Sequence, residues 1–85
     1  MQKVVIYSKS WCPFCVQAKR LLQSKQVEFT EIDVEREPAR MQEMMQKSGR
    51  RTVPQIWVGD AHVGGCDELF AAEQSGQLNQ LLAAE

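Results

Sequence analysis

Two cysteines lie close together near the N-terminus, in the segment S-W-C-P-F-C at residues 10–15. Only Pro13 and Phe14 separate Cys12 from Cys15. Thiols at this spacing can serve three kinds of chemistry. They can ligate a metal ion, form a structural disulfide, or exchange electrons by opening and closing a disulfide.

A metal site and a structural disulfide both fit this sequence less well than redox chemistry. Cys12, Cys15, His62 and Cys66 would supply three sulfurs and one nitrogen, a valid zinc set. However, a long stretch of chain separates Cys15 from His62, unlike in common zinc modules, and Pro13 favours a helix start at the pair. Three cysteines are an odd number, which argues against a secreted disulfide framework. We therefore expect no bound metal and interpret His62 as an ordinary exposed strand residue.

Redox chemistry needs one cysteine to be an anion, because the thiolate is the attacking species in disulfide exchange. Proline is tolerated in the first turn of a helix, so Pro13 places Cys12 at or just before a helix N-terminus. The unpaired N–H groups and the dipole at that end favour a thiolate, and Lys9 adds positive charge three residues upstream. Cys15 lies one turn further in and is expected to be less exposed. This asymmetry predicts that Cys12 attacks and that Cys15 resolves the intermediate.

The elements around the cysteines alternate between strand and helix patterns. A buried strand is predicted at 4–7 and a helix after the cysteines; a strand with a bulge at Thr30–Glu31 is predicted over 27–34. A helix follows to residue 48, with its methionines in the core. Two strands at 55–58 and 61–63, joined by a turn at 59–60, lead to helices at 66–75 and 77–84. The β-α-β-α-β-β-α order predicts an α/β fold with one four-stranded mixed sheet flanked by helices.

Two further segments could hold a peptide ligand beside the cysteines. In the T-V-P segment at residues 52–54, the proline has no N–H, and the extended residue before it could leave the backbone of Val53 free to pair with a peptide. In the G-G-C-D segment at residues 64–67, glycines lead into a helix N-terminus, whose N–H groups bind carboxylates. Asp67 can accept a bond from an ammonium group, although it can also serve only to offset the helix dipole. Together with Lys9, these groups match glutathione, a tripeptide with two carboxylates and one amine.

The motifs C-P-F-C, T-V-P and G-G-C-D-E-L, in this order and spacing, resemble the short dithiol bacterial type of the glutaredoxin family. The resemblance covers essentially the whole chain and implies a thioredoxin-like fold with Pro54 cis. It implies that glutathione is a reducing co-substrate and that protein disulfides and glutathione–protein mixed disulfides are the substrates, with Cys12 as nucleophile and Cys15 as resolving thiol. The residues implied to contact glutathione are Lys9, Phe14, Thr52, Val53, Pro54, Gly65, Cys66 and Asp67.

Two positions depart from the usual pattern of the family. Phe14 stands where a tyrosine is common, and Met41 stands where a polar or basic residue often binds the glycine-end carboxylate of glutathione. Arg40 or Arg51 could replace that contact. Cys66 is interpreted as a small residue whose backbone does the binding, with a redox-regulated thiol as the alternative.

The composition predicts a small soluble protein. Its 85 residues suffice for one domain over 1–85, and a hydrophobic fraction of 44% is ordinary for such a domain. A net charge of −1 gives no field that would recruit nucleic acid. The apolar run at 4–7 is too short for a membrane span or a signal-peptide core. We therefore expect a cytoplasmic monomer without nucleic-acid or membrane partners.

Three alternative functions stay open at this point. A glutaredoxin-like protein could be recycled by thioredoxin reductase instead of glutathione. An iron–sulfur carrier could hold a cluster through Cys12 of two subunits and two glutathiones, although Pro13 disfavours this within the family. A non-catalytic thioredoxin-like binding module would have an unperturbed thiol at Cys12.

Overall fold

The apolar run near the N-terminus forms β1 (Val4–Ser8), which lies inside the sheet. The computed structural model describes residues 2–84. β1 pairs in parallel with β2 (Phe29–Asp33) and antiparallel with β3 (Gln55–Val58), and β3 pairs antiparallel with β4 (Ala61–Gly64). Within these residues the order of the mixed sheet is β2-β1-β3-β4. β1 and β3 are thus hydrogen-bonded on both sides and form its rigid centre.

Four helices lie on the sheet within residues 2–84: α1 (Pro13–Ser24), α2 (Pro38–Ser48), α3 (Cys66–Ser75) and α4 (Gln77–Ala83). α1 and α2 each begin with a proline, because the first helical position needs no N–H. This arrangement confirms the predicted thioredoxin-like α/β fold. In that part of the chain, no helix is long and apolar enough to cross a membrane.

The two faces of the sheet bury different side chains because residues alternate along a strand. Ile6 of β1 belongs to the larger core, which α1, α3 and α4 cover. Tyr7 of β1 and Trp57 of β3 belong to the smaller core, which α2 covers. The methionines of α2 lie in or against this second core, which confirms their predicted structural role: Met41, Met44 and Met45.

β2 differs from its prediction. It is shorter than the predicted 27–34, and its register with β1 runs without a break, so the predicted bulge at Thr30–Glu31 is wrong. Apolar alternation fails there because β2 is an edge strand and Glu31 has polar partners. The Oε2 atom of Glu31 accepts bonds from Ser8 Oγ at 2.6 Å and from Lys19 Nζ at 2.9 Å. The irregular register lies instead in the pairing of β3 with β4.

Candidate active site

Cys12 lies between the end of β1 and the start of α1, where it is the N-cap residue. Its backbone is extended, and its Sγ atom accepts the backbone N–H of Cys15 at 3.2 Å. The first N–H groups of a helix have no partner within the helix, so an acceptor at this position satisfies one of them. A negative charge is favoured at the same place by the helix dipole. The predicted position of Cys12 at a helix start is confirmed.

Cys15 has the opposite surroundings. Its side chain is 0% exposed, whereas Cys12 is partly exposed. Burial, followed by the hydrogen bond with Cys12, raises the pKa of the Cys15 thiol to about 12. The pair therefore combines an accessible sulfur at Cys12 with a buried, protonated sulfur one helical turn away.

A cleft of about 290 Å³ opens next to the cysteines. Three separate segments line it: the first turn of α1, the loop before β3, and the first turn of α3. All the predicted glutathione-contacting residues are in this lining except Lys9, which lies outside it. The lining residues are Phe14, Arg50, Thr52, Val53, Pro54, Gly65, Cys66, Asp67 and Glu68.

Val53 connects the cleft to the sulfur of Cys12. Its carbonyl oxygen lies 3.9 Å from the Sγ atom of Cys12. The peptide bond between Val53 and Pro54 is cis, as the family resemblance implies. Within residues 2–84 the N–H of Val53 makes no hydrogen bond to other backbone groups outside regular elements. The backbone of this residue is therefore open to pairing with an extended ligand, as a sheet edge is.

The N-terminus of α3 forms the other end of the cleft. The Oε1 atom of Glu68 accepts the N–H of Gly65 at 2.7 Å and a bond from Arg50 at 2.7 Å. These two donors hold the pKa of the Glu68 carboxyl below its usual range. The N–H of Gly65 is thus already occupied, which the sequence did not reveal. The N–H groups of Cys66, Asp67 and Glu68 have no carbonyl partner inside α3, because the first bond within the helix runs from the N–H of Leu69 to the carbonyl of Gly65.

Cys66 is a buried thiol whose Sγ atom lies 3.9 Å from Oε1 of Gln17 in α1. Burial, with the nearby Asp67 carboxylate, raises the pKa of this thiol. A protonated, buried thiol is a poor nucleophile. These surroundings favour the interpretation in which Cys66 contributes its backbone.

Arg50 lines the cleft, whereas Arg40 and Arg51, the two arginines that could have replaced the contact missing at Met41, do not. Met41 packs against the smaller core. Arg40 pairs with Glu43, with 3.3 Å between Nε and Oε2, and Arg51 is exposed outside the cleft lining. Arg50 is the lining arginine, and its bond to Glu68 places it at the α3 end.

Trp11 is a feature of the site that sequence reasoning missed. The residue directly precedes Cys12, its side chain is 99% exposed, and its φ angle is 60°. A bulky residue in this left-handed region is uncommon. Phe14, on the other side of Cys12 along the chain, is 58% exposed. Exposed apolar side chains therefore precede and follow Cys12 along the chain.

The residues of the zinc alternative are not assembled into a metal site. Within residues 2–84, no three His, Cys, Asp or Glu side chains are placed to hold a metal ion. His62 lies exposed on β4, as predicted, and its ring nitrogen Nε2 bonds Oε1 of Gln55 at 2.7 Å. The ring also stacks on Trp57, with 4.6 Å between centroids.

Comparison with known proteins matches this chain over most of its length. The family model described as Glutaredoxin matches residues 4–63. A protein named glutaredoxin from Pseudomonas aeruginosa is 52% identical over 84 residues, which cover 99% of this chain and 100% of that relative.

Solved structures of glutaredoxins also match this chain. A solution structure of glutaredoxin from Brucella melitensis is 50% identical, with a TM-score of 0.85, and the match covers 96% of this chain and 89% of that one. A crystal structure of a buckwheat glutaredoxin–glutathione complex is 30% identical, with a TM-score of 0.88, and the match covers 95% of this chain and 76% of that one.

Proposed function

Because this chain belongs to the glutaredoxin family and is a thiol–disulfide oxidoreductase, we propose that glutathione is its reductant. The proposed substrates are protein disulfides and glutathione–protein mixed disulfides. One observation carries the proposal: a cleft with open backbone groups lies against an accessible, helix-capping Cys12 whose partner Cys15 is buried. The buckwheat glutaredoxin–glutathione complex supports the choice of ligand.

Glutathione is proposed to lie across the cleft. One of its carboxylates binds the N–H groups of Cys66 and Asp67 at the start of α3, and its ammonium group binds the Asp67 carboxylate. The central residue pairs with the backbone of Val53, and its sulfur points to Cys12. The ring of Phe14 and the side chain of Thr52 close the sides of the cleft. The second carboxylate lies on the side of Lys9, where the ammonium group attracts it.

Reduction of a mixed disulfide is proposed to need only Cys12. Its thiolate attacks the glutathione sulfur, so a new S–S bond forms between Cys12 and glutathione and the protein leaves as a thiolate that takes up a proton. A second glutathione, as thiolate, then attacks the glutathione sulfur bound to Cys12. This step releases oxidised glutathione and restores the Cys12 thiolate. One glutathione thiol is thus oxidised for each mixed disulfide reduced, because the other half of the oxidised glutathione comes from the mixed disulfide itself.

Reduction of a protein disulfide is proposed to need both cysteines. Cys12 first forms a mixed disulfide with the substrate and releases one substrate thiol. Cys15 then gives up its proton and attacks Cys12, which closes the internal disulfide and releases the second substrate thiol. Two glutathione molecules reopen the internal disulfide and leave as oxidised glutathione. The three free thiols suit a reducing compartment, and the proposed location is the cytoplasm.

The test is turnover of a glutathionylated model protein, followed by mass as the glutathionyl group is lost. With glutathione and glutathione reductase present, wild type should turn over, and Cys12→Ser should fall to the uncatalysed rate because the attacking sulfur is gone. Replacing glutathione by thioredoxin reductase should give no turnover. Equal turnover with thioredoxin reductase would identify a different reductant, and no turnover with either would favour the binding module.

A further inference from the structure

We propose that Gln55 is a positioning residue, whose buried side-chain amide ties the Thr52–Val53 backbone to the sheet and thereby sets the affinity of the cleft for a glutathione-containing ligand. Glutathione as the ligand rests on the function proposed above. The restraint on the loop is inferred from hydrogen bonds and burial. The residues involved belong to three different segments: Thr52 of the loop, Gln55 of β3 and His62 of β4.

The amide of Gln55 is fully buried and hydrogen-bonded at both of its polar atoms. Its side chain is 0% exposed. The Nε2 atom donates to the carbonyl oxygen of Thr52 at 3.0 Å and lies 3.3 Å from the Thr52 hydroxyl. The Oε1 atom lies 2.7 Å from Nε2 of His62, which must donate because an amide oxygen only accepts. Burying an amide without hydrogen-bond partners costs free energy, so these bonds hold the Gln55 side chain in one orientation.

The sheet side of this connection is rigid. Gln55 pairs with Tyr7 across β1 and β3, and β3 is itself held between β1 and β4. The ring of His62 is held by stacking on Trp57 at an interplanar angle of 30°. The amide of Gln55 is therefore oriented by two strands of the sheet.

The loop side of the connection has few other bonds. Among the described residues, no backbone–backbone hydrogen bond outside regular elements involves residues 51–54. Pro54 has no N–H to donate, and Arg51 and Thr52 are exposed. Within residues 2–84, the polar bonds of the segment that carries Val53 are those from Gln55 to Thr52, together with the contact of the Val53 carbonyl with the Cys12 Sγ atom at 3.9 Å.

This restraint is expected to act on binding and not on the chemical step. A loop that is loose in the free protein must become ordered when a ligand pairs with it, and that ordering weakens the affinity. Cys12 caps α1 and Cys15 lies within it, and none of the Gln55 bonds reaches either residue. Loss of the hydrogen bonds between Gln55 and Thr52 should therefore raise KM and leave kcat nearly unchanged.

The test uses Gln55→Met, which keeps the length of the side chain but removes every hydrogen-bonding atom. The substrate is the mixed disulfide of glutathione and 2-mercaptoethanol. KM should rise about tenfold, which is the size expected for the loss of one or two hydrogen bonds. The value of kcat should stay within about twofold of wild type. Gln55→Glu, which keeps an oxygen for His62 but loses the donor to Thr52, should show the same pattern. An unchanged KM in a folded Gln55→Met protein would overturn the proposal.

Two controls keep the result decisive. If Gln55→Met does not fold, His62→Phe decides, because it keeps the stack on Trp57 and removes the bond that orients the amide. Its KM should rise by roughly threefold, and an unchanged KM would overturn the proposal. NMR order parameters of the Thr52 and Val53 amides, measured without ligand, should fall in Gln55→Met. If wild type lacks glutathione-dependent turnover, the proposed function fails while these order parameters still test the tie.

Discussion

α1 and α3 both begin at the cleft, but their N-termini are used differently. α1 has no acidic residue in its first turn, and its capping atom is the Cys12 sulfur. α3 has Asp67 and Glu68 in its first turn, and the Glu68 carboxylate already occupies the N–H of Gly65. Both helices have the positive end of a dipole at their N-terminus, although Pro13 leaves α1 without an N–H at its first position. The positive end of α1 therefore has no carboxylate in its own first turn, whereas that of α3 is partly neutralised by Asp67 and Glu68.

Each helix also buries one thiol close to its start. Cys15 in α1 and Cys66 in α3 both have a raised pKa, chiefly because of burial. They differ in position, since Cys15 lies one turn from Cys12 on the same helix and its N–H bonds the Cys12 sulfur. Burial is therefore common to both thiols, whereas the direct bond to the Cys12 sulfur distinguishes Cys15.

The largest effect on activity is expected from replacing the Cys15 thiol by a hydroxyl, with the same replacement at Cys66 as the control. Cys15→Ser should lose reduction of protein disulfides, because nothing can close the internal disulfide, and should keep reduction of glutathionylated proteins. Cys66→Ser is the matched variant and should keep the protein-disulfide route, because serine preserves the backbone at the start of α3. Both routes are measured with the same protein in disulfide and glutathionylated form. Equal loss of both routes in Cys15→Ser would contradict the division of roles.

A second prediction concerns pH. Burial raises the pKa of Cys15 to about 12 from 9.0, so the folded protein holds this proton where the unfolded chain would lose it. The contribution of Cys15 to the free energy of unfolding is therefore present below pH 9.0 and is lost as pH rises toward 12. Iodoacetamide at pH 8 should give one adduct, at Cys12, on the native protein and three after unfolding, as counted by mass. Equal labelling of Cys12 and Cys15 in the native protein would show that Cys15 is accessible.

The smallest effect is expected at the start of α3. Glu68→Gln keeps an oxygen for the N–H of Gly65 but removes the charge, so the free energy of unfolding should fall by less than about 1 kcal/mol for this exposed group. The pKa of Glu68 is lowered in the folded state, so its contribution is present above pH 4.5 and is lost as pH falls through the lower folded value.

Urea unfolding of Glu68→Gln at pH 7 and pH 3 measures this difference, which should be present at pH 7 and smaller at pH 3. Glu28→Gln, an exposed carboxylate outside any helix, is the control and should change stability little at either pH. A difference for Glu68→Gln that is as large at pH 3 as at pH 7 would contradict the assignment of the effect to charge.

The sequence predicted those parts of the molecule that depend on local signals. Pro13, Gly49 and the glycines before Cys66 act on their own neighbours, so the starts of α1 and α3 and the end of α2 could be placed correctly. The three cleft segments were also predicted, through motifs whose spacing resembles a known family.

What the sequence did not reveal depends on side chains that meet only in the folded chain. The bond of Glu68 to Gly65 was missed although the two lie in one motif, because glutamate in a first turn has several possible roles. The bonds from Gln55 to Thr52 and His62 join a loop and two strands, and no periodic pattern marks them. Glu31 broke the alternation of β2 and suggested a bulge, whereas its partners come from β1 and α1.

The two tryptophans give the protein two separate optical signals. Trp11 is almost fully in water and adjoins Cys12, whereas Trp57 is 5% exposed in the smaller core. The emission of Trp11 should therefore lie at longer wavelength and respond when a group becomes attached to the neighbouring sulfur. The emission of Trp57 should respond when the core opens. Occupancy of the reactive end and integrity of the fold can thus be followed in one unlabelled sample by fluorescence at two wavelengths.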